Sequence, residues 1–218
     1  VEGNLRRVTE ATQGRVAYVY VPNTSTMGHT YFKRYFYPQA DRDAIIVDER
    51  FNGGGSVADY YTDLLRRPHG AYWATRYGAD FATPTASIQG PKVLLVDETA
   101  GSGGDLFPWM WRKFALGPIV GKRTWGGLVG TLGFPVLMDG GMVTAPNLAI
   151  WTEDGWVVEN EGVPPDIEVE QNPADLIDGK DPQLERAIQI VLEELKKRPP
   201  SRPTRPAWRS VPKERGIK

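Results

Sequence analysis

The stretch Lys92-Val93-Leu94-Leu95-Val96-Asp97-Glu98-Thr99-Ala100-Gly101-Ser102-Gly103-Gly104, with a helical pattern from Asp105 to Phe114 behind it, decides the fold class. Its apolar run shows no polar alternation, so it reads as a strand covered on both faces, the kind found in parallel sheets flanked by helices. The same order occurs once before. Ala44-Ile45-Ile46-Val47-Asp48 runs into Asn52-Gly53-Gly54-Gly55, and Ser56 to Arg67 reads as a helix stopped by Pro68. Strand, glycine turn and helix, twice over, predict an α/β core whose two glycine turns meet at one sheet edge.

Working outward, Arg15 to Val21 alternates apolar and aromatic positions before Pro22, a strand running into a loop. Thr30 to Phe36 places aromatics on one helical face with Pro38 as the stop. After the short apolar Pro118-Ile119-Val120-Gly121, glycines at 126, 127, 130 and 133 suggest a mobile or ligand-facing loop, and Met142 to Val158 reads as a hairpin turning at Glu153-Asp154-Gly155. Asp181 to Lys197 is a helix with Pro182 in its first turn and Leu184, Ala187, Ile188, Val191, Leu192 and Leu195 on one face. Residues 1–197 are therefore expected to form one core, and the Pro- and Arg-rich residues 198–218 an extended tail.

The charge balance of 26 basic and 27 acidic residues excludes a general field for nucleic acid or an anionic membrane. No cysteine is present, which removes disulfides, thiolate nucleophiles and thiolate metal sites together and fits a cytoplasmic protein. No apolar run approaches the roughly 20 residues of a membrane span. The chain opens on Val1-Glu2-Gly3-Asn4, without a methionine or a signal pattern, and is expected to be an excised piece of a longer polypeptide.

Glycine turns that start helices present unpaired N–H groups and a helix dipole, which suits a negative charge. Nucleotide phosphate is one candidate, but residues 52–56 lack the G-x-x-x-x-G-K-[ST] spacing, and no G-x-G-x-x-G opens the second helix. No cofactor or metal is expected. Ser102, between glycines and directly before a helix, has two readings: a helix N-cap, or a nucleophile whose hydroxyl stands exposed beside oxyanion-binding N–H groups.

Four blocks in order, Val47-Asp48-Glu49-Arg50-Phe51-Asn52-Gly53-Gly54-Gly55, Asp97 to Pro108, Gly121-Lys122-Arg123-Thr124-Trp125-Gly126-Gly127, and Glu159-Asn160-Glu161-Gly162-Val163-Pro164-Pro165-Asp166, closely resemble the C-terminal catalytic domain of tricorn proteases, which belong with the C-terminal processing peptidases. The likeness spans roughly residues 15 to 195. It implies a core of the crotonase/ClpP type with Ser102 as nucleophile. The oxyanion donors it implies are the N–H groups of Ser102 and Gly55, with Gly54 and Gly103 as the alternatives. It also implies a glutamate that orients the general-base machinery, Glu159 or else Glu161. Peptide substrates and a homo-hexameric ring come with the same resemblance.

Two departures stand against the pattern. The family's histidine sits beside a serine in a segment N-terminal to a PDZ-like insertion; that segment is missing here, and His29 and His69 match no catalytic motif. The triad is thus expected to be incomplete. Gly103 stands where these proteases usually carry an aspartate associated with preference for a basic side chain before the scissile bond. Asp105 is the nearest replacement in a substrate-binding role, beside Gly54, and an aspartate restored at 103 is expected to raise cleavage after Lys or Arg. Two other classes remain open: a non-catalytic peptide-binding or scaffold domain that keeps this fold, and, by fold analogy, an acyl-thioester enzyme of the crotonase type.

Overall fold

A computed structural model describes residues 1–207. The chain is a mixed α/β fold built on a five-stranded sheet. Its strands are β1 (Val16–Tyr20), β2 (Ala44–Asp48), β5 (Lys92–Val96), β6 (Ile119–Gly121) and β9 (Ile167–Glu168), side by side in that order and parallel at every pairing. Two small antiparallel pairs lie apart from it, β3 (Ala71–Trp73) with β4 (Phe81–Thr83) and β7 (Trp151–Thr152) with β8 (Gly155–Trp156).

Because side chains alternate across a strand, β1, β2 and β5 serve two cores at once. On one face Ala17, Val19, Ile45, Val47, Leu94 and Val96 meet Phe32 and Phe36 of α2 (Thr26–Phe36), Tyr61 and Leu64 of α3 (Ala58–Leu65), and Phe107 and Trp111 of α4 (Gly103–Lys113). On the other, Val16, Tyr18, Ala44, Ile46, Val93 and Leu95 meet Val8 of α1 (Glu2–Ala11) and the apolar stripe of α6 (Pro182–Lys197). The uninterrupted apolar runs of β2 and β5 follow from this double burial. A short helix, α5 (Pro173–Ile177), precedes α6.

A buried ionic clip joins β2 to α6. Arg50 donates from Nε and Nη2 to Asp48 at 2.9 and 2.7 Å, and from Nη1 and Nη2 to Asp181 at 2.8 and 2.9 Å. Asp181 also caps α6 by accepting the Leu184 N–H at 3.0 Å. Burial works to raise the Asp181 carboxyl, and the hydrogen bonds and charge of Arg50 outweigh it, so the group sits below its ordinary range.

Most predicted elements are present with shifted ends. The helix expected at Thr30 begins one turn earlier, at Thr26, and the one expected from Ser56 begins at Ala58. The long hairpin expected over Met142 to Val158 is a correction: only β7 and β8 pair around Glu153 and Asp154, while Met142 bridges back to Val136. Val158 reaches the core with Ile150 and Val157 against it, but Val143, Leu148, Trp151 and Trp156 are exposed, so little burial fixes a strand register over the rest of the segment. Of the tail, residues 201–207 take no helix or strand, with Arg202 bonded to Asp43 and Arg205 to Asp80; residues 208–218, with Pro212, lie outside the described residues. No helix among the described residues is long and apolar enough to cross a membrane.

Candidate active site

β2 and β5 are hydrogen-bonded neighbours, with Asp48 opposite Leu95, so the turns that follow them open side by side. Ser102 sits at the end of the second turn with φ 56° and ψ −115° and is the N-cap of α4. A positive φ is uncommon for a residue with a β-carbon and is a known signature of strained functional turns. It lifts the half-buried Ser102 side chain toward the first turn, where a β-carbon on Gly54 would stand 3.0 Å from Ser102 Oγ. With φ 89° at Gly54 as well, only glycine lets the first turn lie this close to the serine.

The hydrogen bonds sort the four candidate oxyanion donors. The Ser102 N–H is already spent on the Gly127 carbonyl at 3.0 Å and the Asp105 carboxylate at 2.9 Å. The Gly54 N–H donates to Asn52 Oδ1 at 2.9 Å, closing a side-chain turn. The N–H groups of Gly55 and Gly103 donate to no described residue, and the two backbones adjoin: a β-carbon on Gly103 would lie 2.8 Å from the Gly55 nitrogen. Two unpaired N–H groups next to a serine hydroxyl can receive a developing oxyanion.

Asp105 does not face a substrate. It is fully buried, and besides the Ser102 N–H it accepts the Thr124 hydroxyl at 2.6 Å and the Gly126 N–H at 2.8 Å. Burial raises its carboxyl above the ordinary value while those hydrogen bonds pull it back. Its role is to fasten the 124–127 loop to the start of α4, and sequence spacing gave no hint of a partner some twenty residues away. Trp125, 70 % exposed, lies over Gly101 and Gly127. Its place in the glycine-rich 121–133 segment was the available signal for a ligand-facing role.

Glu159 accepts the N–H groups of Leu128 and Val129 at 2.8 and 2.7 Å, holding the loop whose Gly127 carbonyl binds Ser102. Val158 and Asn160 on either side have φ of 70° and 62°, so the glutamate is presented on a strained turn, whereas Glu161 is exposed. His29 lies edge-on to Tyr60 at 4.5 Å and His69 packs on Tyr72 at 4.3 Å; neither is hydrogen-bonded to Ser102.

The structure changes the expectation for residue 103. A β-carbon there would fall 1.9 Å from Thr24 Oγ1 and 2.3 Å from the Gly55 carbonyl oxygen, and Thr24 is itself buried with an unpartnered hydroxyl. Gly103→Asp must therefore push the first turn away. It is expected to cost about 1–3 kcal/mol of stability through overpacking. Labelling of Ser102 by a fluorophosphonate should slow at least about tenfold, as a misplaced oxyanion donor requires. Denaturant midpoints and labelling rates of the variant check this; a gain in cleavage after Lys or Arg with unchanged stability would refute it.

Comparison with known proteins bears on the family and the fold. The model of a family described as peptidase family S41 matches residues 15–169. The tricorn protease of Thermoplasma acidophilum is 40% identical over 208 residues, covering 95% of this chain and 19% of the relative. A putative tricorn-like protease C-terminal subunit of Sulfurisphaera tokodaii is 37% identical over 199 residues, 91% of this chain and 23% of that one. A crystal structure of the tricorn protease matches with TM-score 0.86 and 41% identity over 90% of this chain and 19% of its own. The chain thus spans about a fifth of the length of the curated relatives it matches.

Proposed function

The chain belongs to peptidase family S41, and from that premise we propose that it is the nucleophile-bearing part of a serine peptidase that hydrolyses oligopeptides through an acyl-enzyme on Ser102. The observation that carries this reading is the pairing of a strained, half-buried serine with the unpaired N–H groups of Gly55 and Gly103. In the reaction Ser102 Oγ adds to the peptide carbonyl carbon, its proton passes to a base, and the two N–H groups stabilise the oxyanion. Collapse of the tetrahedral species releases the amine, which takes that proton, and water then hydrolyses the ester. Glu159 positions the 127–129 loop that borders the serine.

The base, in this proposal, is a histidine on a Ser-His segment of the family's upstream type, because His29 and His69 are engaged with tyrosines. The 218-residue chain alone is then expected to show only the small turnover left by binding and oxyanion stabilisation. Adding the upstream segment should restore hydrolysis, and His29→Ala and His69→Ala should leave the residual rate unchanged. Turnover by the chain alone that vanishes on replacing one histidine would make that residue the base.

Assembly with further copies and a cytoplasmic location belong to the same proposal; the exposed apolar arm around Val136 and Trp151 supports an interface. A second reading, a peptide-binding module without catalysis, draws on the absence of a histidine bonded to Ser102. Covalent labelling of Ser102 by a fluorophosphonate, mapped by mass spectrometry on the longest natural chain, separates the two. Modification at Ser102 supports the peptidase, and no modification supports the module.

A further inference from the structure

Glu49 follows β2 and is fully buried, an unusual place for a carboxyl. Its Oε2 accepts the Asn52 side-chain amide at 2.9 Å, and its Oε1 is buried with no partner. Asn52, also fully buried, ties the two glycine turns together: Oδ1 accepts the Gly54 N–H at 2.9 Å and the main-chain carbonyl accepts the Gly101 N–H at 3.1 Å. An amide has nearly the same shape either way round, so the partner of its nitrogen decides which end faces Gly54. Only with Nδ2 on Glu49 does the oxygen point at the Gly54 N–H. We propose that Glu49 is a positioning residue which, by orienting the Asn52 amide, sets the turn that aims the Gly55 N–H at the forming oxyanion. This role rests on the reading of Gly55 as an oxyanion donor.

The surroundings favour the neutral form of Glu49. Burial drives its carboxyl well above the ordinary value of 4.5; the Asn52 hydrogen bond works the other way, and Asp105 from α4, Asp97 from the turn after β5 and Asp48 from β2 add to the rise. The cation in this region, Arg50, is turned to Asp48 and Asp181. A neutral carboxyl still accepts from Asn52 through its carbonyl oxygen, and a glutamine can do the same. The sign of the linkage follows. The unfolded chain releases this proton near 4.5 while the folded chain retains it, so the contribution is full below that pH and is lost as pH rises through the folded value.

The test uses the longest natural chain with Glu49→Gln and Glu49→Leu. Leucine fills the space but cannot accept from Asn52. Native-state exchange of the Gly54 amide should stay within about threefold of the parent in Glu49→Gln and quicken about tenfold in Glu49→Leu, the size of one lost hydrogen bond. Fluorophosphonate labelling of Ser102 should slow in the leucine variant and persist in the glutamine one. Denaturant midpoints against pH should decline less above pH 4.5 in Glu49→Gln than in the parent. If Glu49→Leu does not fold, Gly54 exchange in Glu49→Met takes its place. Equal Gly54 protection in all three proteins overturns the proposal, and an unchanged decline in Glu49→Gln overturns the raised carboxyl alone. Labelling of the parent with unchanged Gly54 exchange in Glu49→Leu overturns the role of Glu49 alone. A parent that does not label, with the Gly54 difference intact, counts against Ser102 as nucleophile and for the Glu49–Asn52 link.

Discussion

Ser102→Ala in the full-length protein is expected to lower peptide hydrolysis by at least about a thousandfold, the scale on which removal of a nucleophile acts. Stability measured beside activity distinguishes the two roles a serine can have at this position. If Ser102 served only as the cap of α4, its replacement by alanine would cost about 0.5–2 kcal/mol and leave the rate alone. A nucleophile shows the reverse pattern. Ser102→Gly sharpens the contrast, since φ of 56° suits glycine and relief of backbone strain is worth about 1–3 kcal/mol. The glycine variant should be inactive and more stable than its parent. Retention of more than about a tenth of the parental rate in either variant would place the nucleophile elsewhere.

Arg50→Ala is expected to cost about 3–5 kcal/mol, because it leaves two buried carboxylates, Asp48 and Asp181, facing each other without their shared cation. Urea denaturation measures the loss. Arg112→Ala provides the control: its ion pair with Asp166 at 2.8 Å is exposed on both sides and should contribute no more than about 1 kcal/mol. The pH dependence has a definite sign. Asp181 is held below its ordinary 3.8, so the stability it brings is complete above that value and disappears as pH falls through the folded one. The parent should therefore lose stability on acidification more steeply than Arg50→Ala, and equal acid profiles would show that the clip is not formed in solution.

The core was legible because β2 and β5 carry uninterrupted apolar residues and α6 a clean stripe, patterns that double-sided and one-sided burial impose directly. Ser102, Gly55 and Gly103 were singled out by resemblance to a family, and the hydrogen bonds leave the N–H groups of Gly55 and Gly103 unpaired where those of Ser102 and Gly54 are taken. What stayed hidden depends on contacts remote in sequence. α1 buries only Val8 and has no side-chain cap, so its local pattern is faint. β9 has two residues and exists because Val120 pairs with Ile167. Asp105 was expected to bind substrate, and its contacts with Thr124 and Gly126 make it a buried fastener. Glu49 stood in the first family block with no role of its own, and only the fold shows it enclosed.

The adjacency of β2 and β5 bears on when the proposed site can assemble. Its oxyanion turn and its serine lie about fifty residues apart along the chain and meet only after two parallel strands, with the Ala58–Leu65 helix between them, have found their register. Such non-local pairing closes late in folding. A nascent or partly unfolded copy holds its serine and its oxyanion donors apart, and a locally opened one separates them again. If Ser102 is the nucleophile proposed for it, reactivity is thereby confined to molecules whose central sheet is complete.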